Sequence, residues 1–425
     1  MTLAAYPTYD SYKDSGVDWI GEIPNSWDQV ANKRLFKLRK TQVGKRSSEY
    51  DLLSLTLRGI IKRDMDNPEG KFPAEFDTYQ DVRPGDFVFC HFDVEETPRT
   101  VGLSALDGMI TGAYTVYELK AEADASFLFY FYLNADADKK LRGLYKGLRN
   151  TIPKESFGAF KTPLPPLPEQ RAIAAFLDEK CAKVDEAVQI KEEQIALLRE
   201  RRQILIQQAV TRGLNPDAPL KYSGIDWIGQ IPSHWELRPN KHILRLKKSL
   251  VGRQSSEYEL LSLTLRGIIK RDMENPEGKF PAEFDSYQEV SPGDFVFCHF
   301  DVEETPRTVG LSEYFGMITG AYTVYSVPEG IDRRFLLHFF ICADTDKKMR
   351  SLYKGLRNTI PKEAFGAFKT PLPPLEEQRQ IVAHIDEASR KIEDAIVIKE
   401  EQIAALKEHK TCLINAAITG KIKVA

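Results

Sequence analysis

The feature that most limits how this chain can fold is an internal repeat at a constant offset of 208 residues. Trp19 matches Trp227, Trp27 matches Trp235, Ser54 matches Ser262, Tyr145 matches Tyr353 and Gln170 matches Gln378. The copies align from Ser15/Ser223 to Thr211/Thr419 without a gap. Solenoid units are only about 20–45 residues long, so this is a duplicated domain and not a stacked array. With 425 residues and 42% hydrophobic content, the chain can form two or three domains with sizeable cores.

The likeness between the copies is uneven. From Asp51 to Ser104, against Glu259 to Ser312, five of 54 positions differ, and only Arg83/Ser291 is not a swap of similar residues. From Leu144 to Leu167, against Leu352 to Leu375, the single difference is Ser156/Ala364. From Glu169 to Arg212, against Glu377 to Gly420, 22 of 44 positions match. Core packing alone does not preserve surface charges such as Lys62, Arg63 and Lys71 in both copies, because surface substitutions away from special features cost little. Either an outside partner meets the same surface twice or gene conversion was local. The first is favoured, since a local conversion must also be tolerated by function.

Each copy has three parts. The first opens with GVDWIGEIPNSW, or GIDWIGQIPSHW, and continues as strands and turns. DLLSLTL, DFVFCHF and AYTVYEL are rich in β-branched or aromatic residues, with turn signals at Pro84-Gly85 and Asp107-Gly108. A short helix is predicted from Ser126 to Leu144. TPLPPLPEQ is extended and ends the globular part. The stretch from Glu169 to Arg212 has no proline or glycine and predicts one long helix.

Alternating steps of four and three give that helix a seam: Leu177, Cys181, Val184, Val188, Lys191, Ile195, Leu198, Arg202, Leu205 and Ala209. Its counterpart is Ile385, Ser389, Ile392, Ile396, Lys399, Ile403, Leu406, Lys410, Leu413 and Ala417. This is a coiled-coil stripe interrupted twice by a basic residue at matching places. Two amphipathic helices in a globular core would also fit. A helix pair spacing two domains fits better, as an antiparallel rod of about 65 Å at about 1.5 Å per residue. The expected class is α+β, with two similar mixed α/β domains joined by two long helices in an antiparallel coiled coil with a pseudo-two-fold axis. The expected boundaries are 1–166 and 214–374 for the domains, 167–213 and 375–425 for the helices.

Charge and cysteine usage narrow the function. Charged residues make up 28% of the chain with a net charge of −3, which excludes a disordered charged tail and argues mildly against a protein that binds DNA by a global basic excess. A subunit whose acidic parts face proteins and whose basic parts are local fits better. Cys90, Cys181, Cys298, Cys342 and Cys412 show no CxxC spacing, which suggests reduced thiols in the cytoplasm and no zinc site. No run of about 18 apolar residues predicts a membrane span, and the first residues do not read as a signal peptide.

Two recognition domains alternating with two long helices resemble the type I restriction–modification specificity subunits. The residues that carry the resemblance are the openings YKDSGVDWIGEIPNSW and KYSGIDWIGQIPSHW and the junctions TPLPPLPEQRAIAAFLD and TPLPPLEEQRQIVAHID. It covers nearly the whole chain. In that family the two domains usually differ and read unlike half-sites, whereas here they are almost the same. The resemblance implies a non-catalytic DNA-recognition and scaffold subunit that holds two methyltransferase (M) subunits and, in a full enzyme, two restriction (R) subunits. S-adenosylmethionine, ATP and Mg would then be bound by those partners and none by this chain. No GxxxxGK[ST] loop, DPPY- or NPPY-like motif or glycine-rich cofactor loop occurs. His91, Asp93, Glu95 and Glu96, or Glu69 and Lys71, could suggest a metal nuclease, but they read as solvated loops. A duplicated nuclease, the specificity subunit of a related type II-like modification system and a coiled-coil adaptor without a nucleic-acid role are the alternatives.

Base readout needs Arg, Lys, Asn or Gln at loop tips, with phosphates fixed by nearby cations. LTLRGIIKRD offers Arg58, Lys62 and Arg63; DKKLRGLYKGLRNTIPKE offers Lys139, Lys140, Arg142, Lys146, Arg149, Asn150 and Lys154; ETPRTVG offers Arg99. YKGLRNT is the strongest candidate, because glycine lets the backbone approach a phosphate while Arg149 and Asn150 reach onward. The second copy supplies Arg266, Lys270, Arg271, Arg307, Lys354, Arg357, Asn358 and Lys362. Double-stranded DNA is the expected ligand. Arg83/Ser291 and 105–107 against 313–315 are the places where readout could differ.

Overall fold

The computed structural model describes residues 6–64, 76–120, 122–272 and 284–424. The chain forms two compact units: Met1–Lys191 with Glu400–Ala425, and Glu192–Lys399. Both long helices, Leu167–Arg212 and Leu375–Ile418, are shared between the units, and the divisions fall at positions matched by the repeat. Among the described residues no helix is long and apolar enough to cross a membrane.

In the first unit a four-stranded antiparallel sheet runs in the order Phe36–Leu38, Thr115–Leu119, Phe87–Phe89, Val101–Leu103. The hairpin Leu53–Thr56/Gly59–Lys62 packs on its last strand at Gly102, where an added Cβ would lie 2.7 Å from Leu55. The helix Ala125–Ala137 covers the sheet with Phe127, Leu128, Phe131 and Tyr132, and Asp124 caps it by accepting from the Phe127 N–H at 2.9 Å. It stops earlier than the sequence predicts, and a separate 3-10 turn follows at Lys140–Leu144. The break is local: Lys139 takes a left-handed φ of 50°, and its amine returns 2.6 Å to the buried Asp136, which also accepts from Thr100.

The junction residues have structural duties that explain their recurrence. The proline-rich Lys161–Leu164 is a strand paired with Asp28–Ala31. Glu169 accepts from the Trp27 indole at 3.1 Å, and Gln170 bridges the Asp124 N–H and the Pro165 carbonyl at 2.8 and 2.7 Å. The second unit repeats this with Trp235–Glu377 at 2.9 Å and Gln378 between Asp332 and Pro373.

Within each unit the two helix halves pack antiparallel. In the first, Leu177 and Cys181 share a core with Leu413, Ile414 and Ala417, while Lys191 reaches Gln402 and Lys410 reaches Asp185, at 2.7 and 2.6 Å. In the second, Ala209 and Val210 share a core with Ile381 and Ile385, and Arg202 faces Glu393 at 3.4 Å. Lys191, Arg202 and Lys410 therefore bridge the helices where they interrupt the apolar seam.

Candidate nucleic-acid interface

The site grows from the end of the strand Phe87–Phe89. His91 follows in a buried aromatic layer, stacked on Phe89 at 5.5 Å, and its carbonyl accepts the Ile152 N–H at 2.7 Å. Burial pushes the His91 imidazole down to about 4. The chain then turns at Asp93, whose φ is 45°. Four hydrogen bonds hold this turn: the Asp93 N–H donates to the Arg149 carbonyl, and the Asp93 carbonyl accepts from the Glu96 N–H, the Thr97 N–H and the Thr97 hydroxyl.

The Asp93 side chain forks onto Arg149: Nε donates to Oδ1 at 3.0 Å and Nη2 donates to Oδ2. The guanidinium also lies over Phe92, 5.6 Å from its centroid. The hydrogen bond from Arg149 holds the Asp93 carboxyl below the usual carboxylate range. Glu95 makes a second fork with Arg142, at 2.6 and 3.3 Å.

Arg149 sits in a closed loop. Lys146 and Thr151 exchange two backbone hydrogen bonds of 2.8 and 3.1 Å, while Gly147 and Asn150 take positive φ of 71° and 43°. Leu148, at the tip, is fully exposed. The turn of the hairpin carries Leu57 and Arg58, and Arg99 Nη2 donates to the Leu57 carbonyl at 3.4 Å. Segment 93–99 therefore links the hairpin turn to the 146–151 loop, and Arg58, Arg99, Lys146, Arg149 and Asn150 belong to one connected surface.

Other candidates lie elsewhere. Lys62 pairs with Asp51 at 2.7 Å at the open end of the hairpin, with Arg63 next to it. At about 3.3 Å per residue, that end is roughly 13 Å from the turn. Lys154 opens the short helix Lys154–Ala159 and is exposed.

The second unit repeats the arrangement. Arg357 forks onto Asp301 over Phe300, Arg350 forks onto Glu303, and Lys354 and Thr359 close a loop with Asn358 at φ 43° and a fully exposed Leu356. Arg266 occupies the hairpin turn and Lys362 opens a short helix. Lys270 pairs with Glu259 at 3.1 Å beside Arg271 and lies 5.5 Å from the Tyr314 ring centroid. Arg307 departs from its counterpart by standing 3.9 Å from the buried Asp344.

Sequence reasoning missed the part played by Asp93 and Glu95, which read as solvated loop acids. The available signal was the alternation Asp-Val-Glu, repeated with two arginines of one basic segment. Among the described residues no group of three His, Cys, Asp or Glu could hold a metal; Glu69 and Lys71 lie outside the described residues. The described cysteines are free, with Cys412 exposed and the others buried.

Of the two places singled out for unlike readout, Arg83 belongs to a charge network. It pairs with Asp81 at 3.0 Å, beside Arg39 with Asp86 and Glu118. In the second unit Lys247 replaces Arg39 and contacts Ser291, Glu289 and Asp294. The change at Arg83 is thus accompanied by changes in its neighbours.

No family model matches the chain. A protein of Methanocaldococcus jannaschii, named as the specificity subunit of type I restriction enzyme MjaX, is 24% identical over 95% of this chain and 96% of its own length. The MjaVIII specificity subunit of the same organism is 24% identical over 64% of each. In fold, the chain matches one from a structure of type I R-M complex assembly and conformational transition, with a TM-score of 0.62, 16% identity and coverage of 93% and 98%. The HsdS subunit of Thermoanaerobacter tengcongensis gives a TM-score of 0.52 at 18% identity, covering 94% and 98%. The resemblance carried by the openings and junctions is borne out: across nearly its whole length, in sequence and in fold, this chain is similar to type I restriction–modification specificity subunits.

Proposed function

We propose that this chain is the DNA-recognition and scaffold subunit of a type I restriction–modification complex and performs no chemistry itself. It reads a bipartite site, one half with each unit, and positions two adenine-methyltransferase subunits; two restriction subunits complete the full enzyme. S-adenosylmethionine, ATP and Mg belong to those partners. The observation that carries this reading is the presence of one cationic surface twice, with the same loop, the same forked arginine and the same exposed leucine in each unit. Like surfaces read like half-sites. With the two reading surfaces inverted along the duplex, the site is an interrupted palindrome whose half-site centres lie about 10 base pairs apart.

Mapping methylated adenines in a genome carrying this gene tests it. Two inverted copies of one short word around unread bases are expected. An asymmetric site with unlike halves overturns the inverted arrangement. Methyl transfer by the isolated chain overturns the non-catalytic assignment, and cleavage by it with a divalent metal alone favours a nuclease instead.

A further inference from the structure

An arginine can read a guanine only if two of its N–H groups converge on O6 and N7 at once. A guanidinium has five N–H donors and two edges that can make such a pair. One edge is Nε with Nη2 and the other is Nη1 with Nη2. In Arg149 the first edge is occupied by Asp93, through Nε at 3.0 Å and through Nη2. The second edge is left to an incoming group, and the side chain is 69% exposed.

Free arginine side chains lose much rotamer freedom when they order. Here that freedom is already restricted on two sides, and the backbone that carries it is fixed as well. Asp93 grips one edge, Phe92 lies against the guanidinium at 5.6 Å, and the Arg149 carbonyl accepts the Asp93 N–H at 2.8 Å. Asp93 holds a left-handed φ of 45° in this arrangement, a conformation uncommon outside glycine although tolerated by aspartate. An exposed ion pair contributes little to stability, so folding alone gives weak reason to build such a clamp. All of its parts recur around Arg357, with Asp301 at φ 46° and Phe300 at 5.4 Å.

We propose that Asp93 and Asp301 are positioning residues that hold Arg149 and Arg357 for end-on reading of one guanine in each half-site. The inference rests on the DNA-reading function proposed above and adds the base, the edge that reads it and the residue that aims it. The carboxylate also supplies discrimination. It neutralises the arginine toward phosphates, so the pair holds weakly to backbone and strongly to a base offering two aligned acceptors.

The test uses the full chain with the methyltransferase subunit that co-purifies with it, read by methylation of a library randomised across the site. Wild-type complex without any sequence preference sinks the DNA-reading function itself. A wild-type site without guanine in either half overturns the guanine assignment alone. R149K/R357K keeps the charge and loses the paired donors. It should relax one guanine per half-site by about 5- to 150-fold, the range for a lost bidentate contact. D93A/D301A should relax the same position by a smaller factor, while binding to unrelated DNA rises and becomes more salt-dependent.

In the R149A/R357A background, D93A/D301A should add no further relaxation. Additional loss there would mean that Asp93 acts on the fold and not through Arg149. E95A/E303A removes the same charge from the neighbouring fork and should leave that guanine preference in place. If it relaxes the same base equally, general electrostatics accounts for the effect and the positioning role is refuted. Melting curves identify a variant that fails to fold, and D93N/D301N, which keeps one acceptor, should then show the intermediate preference.

Discussion

The two units bury nearly the same residues but draw them from the chain differently. The second unit is one continuous stretch, Glu192–Lys399, whereas the first joins Met1–Lys191 to Glu400–Ala425. Trp235 packs against Gly213, just past the first long helix, where an added Cβ would lie 3.2 Å from the indole; Trp27 packs against Gly420, past the second, at 3.3 Å. A tryptophan, a glycine at a helix end and the Glu-Gln junction thus make the same corner, whichever helix supplies the glycine. The duplicated domain needs a helix end in that corner, and not a particular stretch of sequence before it.

Inside the units the differences are compensated. Tyr132 donates to Asn32 at 2.7 Å and shares a 2.6 Å hydrogen bond with Thr162. Its counterpart is Phe340, and there Thr370 contacts Asn240 directly at 2.6 Å. The hydroxyl is dispensable because the Asn–Thr pair persists without it. By contrast, the loop around Arg149 and Arg357 keeps the same residues, the same closing hydrogen bonds, the same fork and the same positive φ angles, which is what a surface meeting the same ligand twice requires.

Removing residues 400–425 gives the largest expected break in this comparison. It takes Leu413, Ile414, Ile418 and Ile422 from the first core and none from the second. At about 1.5–3 kcal/mol per large buried side chain, the loss is about 6–12 kcal/mol, comparable to the whole stability of a domain. Hydrogen exchange should show lost protection in the first unit and retained protection in the second. Equal loss in both would mean that the second does not hold its fold by itself.

The antiparallel pairing of the two long helices was legible, but the division of each helix between the units was not, for a physical reason. The four-three spacing reports that Leu177, Cys181 and Val188 form an apolar stripe, but a stripe does not tell which of its halves packs with which domain. The long helices themselves were legible, since runs without proline or glycine continue until one ends at Gly213 and the other at Gly420. The strands around DLLSLTL, DFVFCHF and AYTVYEL were legible from residue type. The Asp93–Arg149 fork was not. It joins residues 56 positions apart, so the Asp-Val-Glu alternation marks two acids in phase without naming the arginines they grip.

Acid should separate the units by a smaller margin. Burial holds His91, His299 and His338 near 4, below the ordinary histidine value of about 6.5. A depressed histidine leaves the folded state neutral while the unfolded chain takes up a proton. Stability is therefore full above about pH 6.5 and falls as pH drops toward 4, by up to roughly 3 kcal/mol per histidine. The first unit holds one such group and the second holds two. His338, near Arg334 and Asp386, stands where the first unit has Tyr130, which donates to Asp178 at 2.7 Å. Exchange measured from pH 7 to pH 5 should show the second unit weakening more, and H338Y should remove most of the excess. Equal acid sensitivity before and after that change would contradict the assignment.

The smallest expected effect concerns the other place singled out for unlike readout. The first unit carries Ala105, Leu106 and Asp107; the second carries Glu313, Tyr314 and Phe315. The aromatic pair covers its own unit, since Phe315 stacks on Tyr258 at 5.1 Å and Tyr314 lies 5.5 Å from Lys270. These contacts belong to the open end of the second hairpin, where Lys270 pairs with Glu259, and not to the turn that carries Arg266. Replacing them by E313A/Y314L/F315D should cost the second unit about 1 kcal/mol, the size of one aromatic pair. The sequence methylated by the complex should stay the same in both halves, because the forked arginine and its loop are untouched. A change in one half-site alone would move the reading surface toward Lys270, and the hairpin's open end would then replace the arginine loop as the source of specificity.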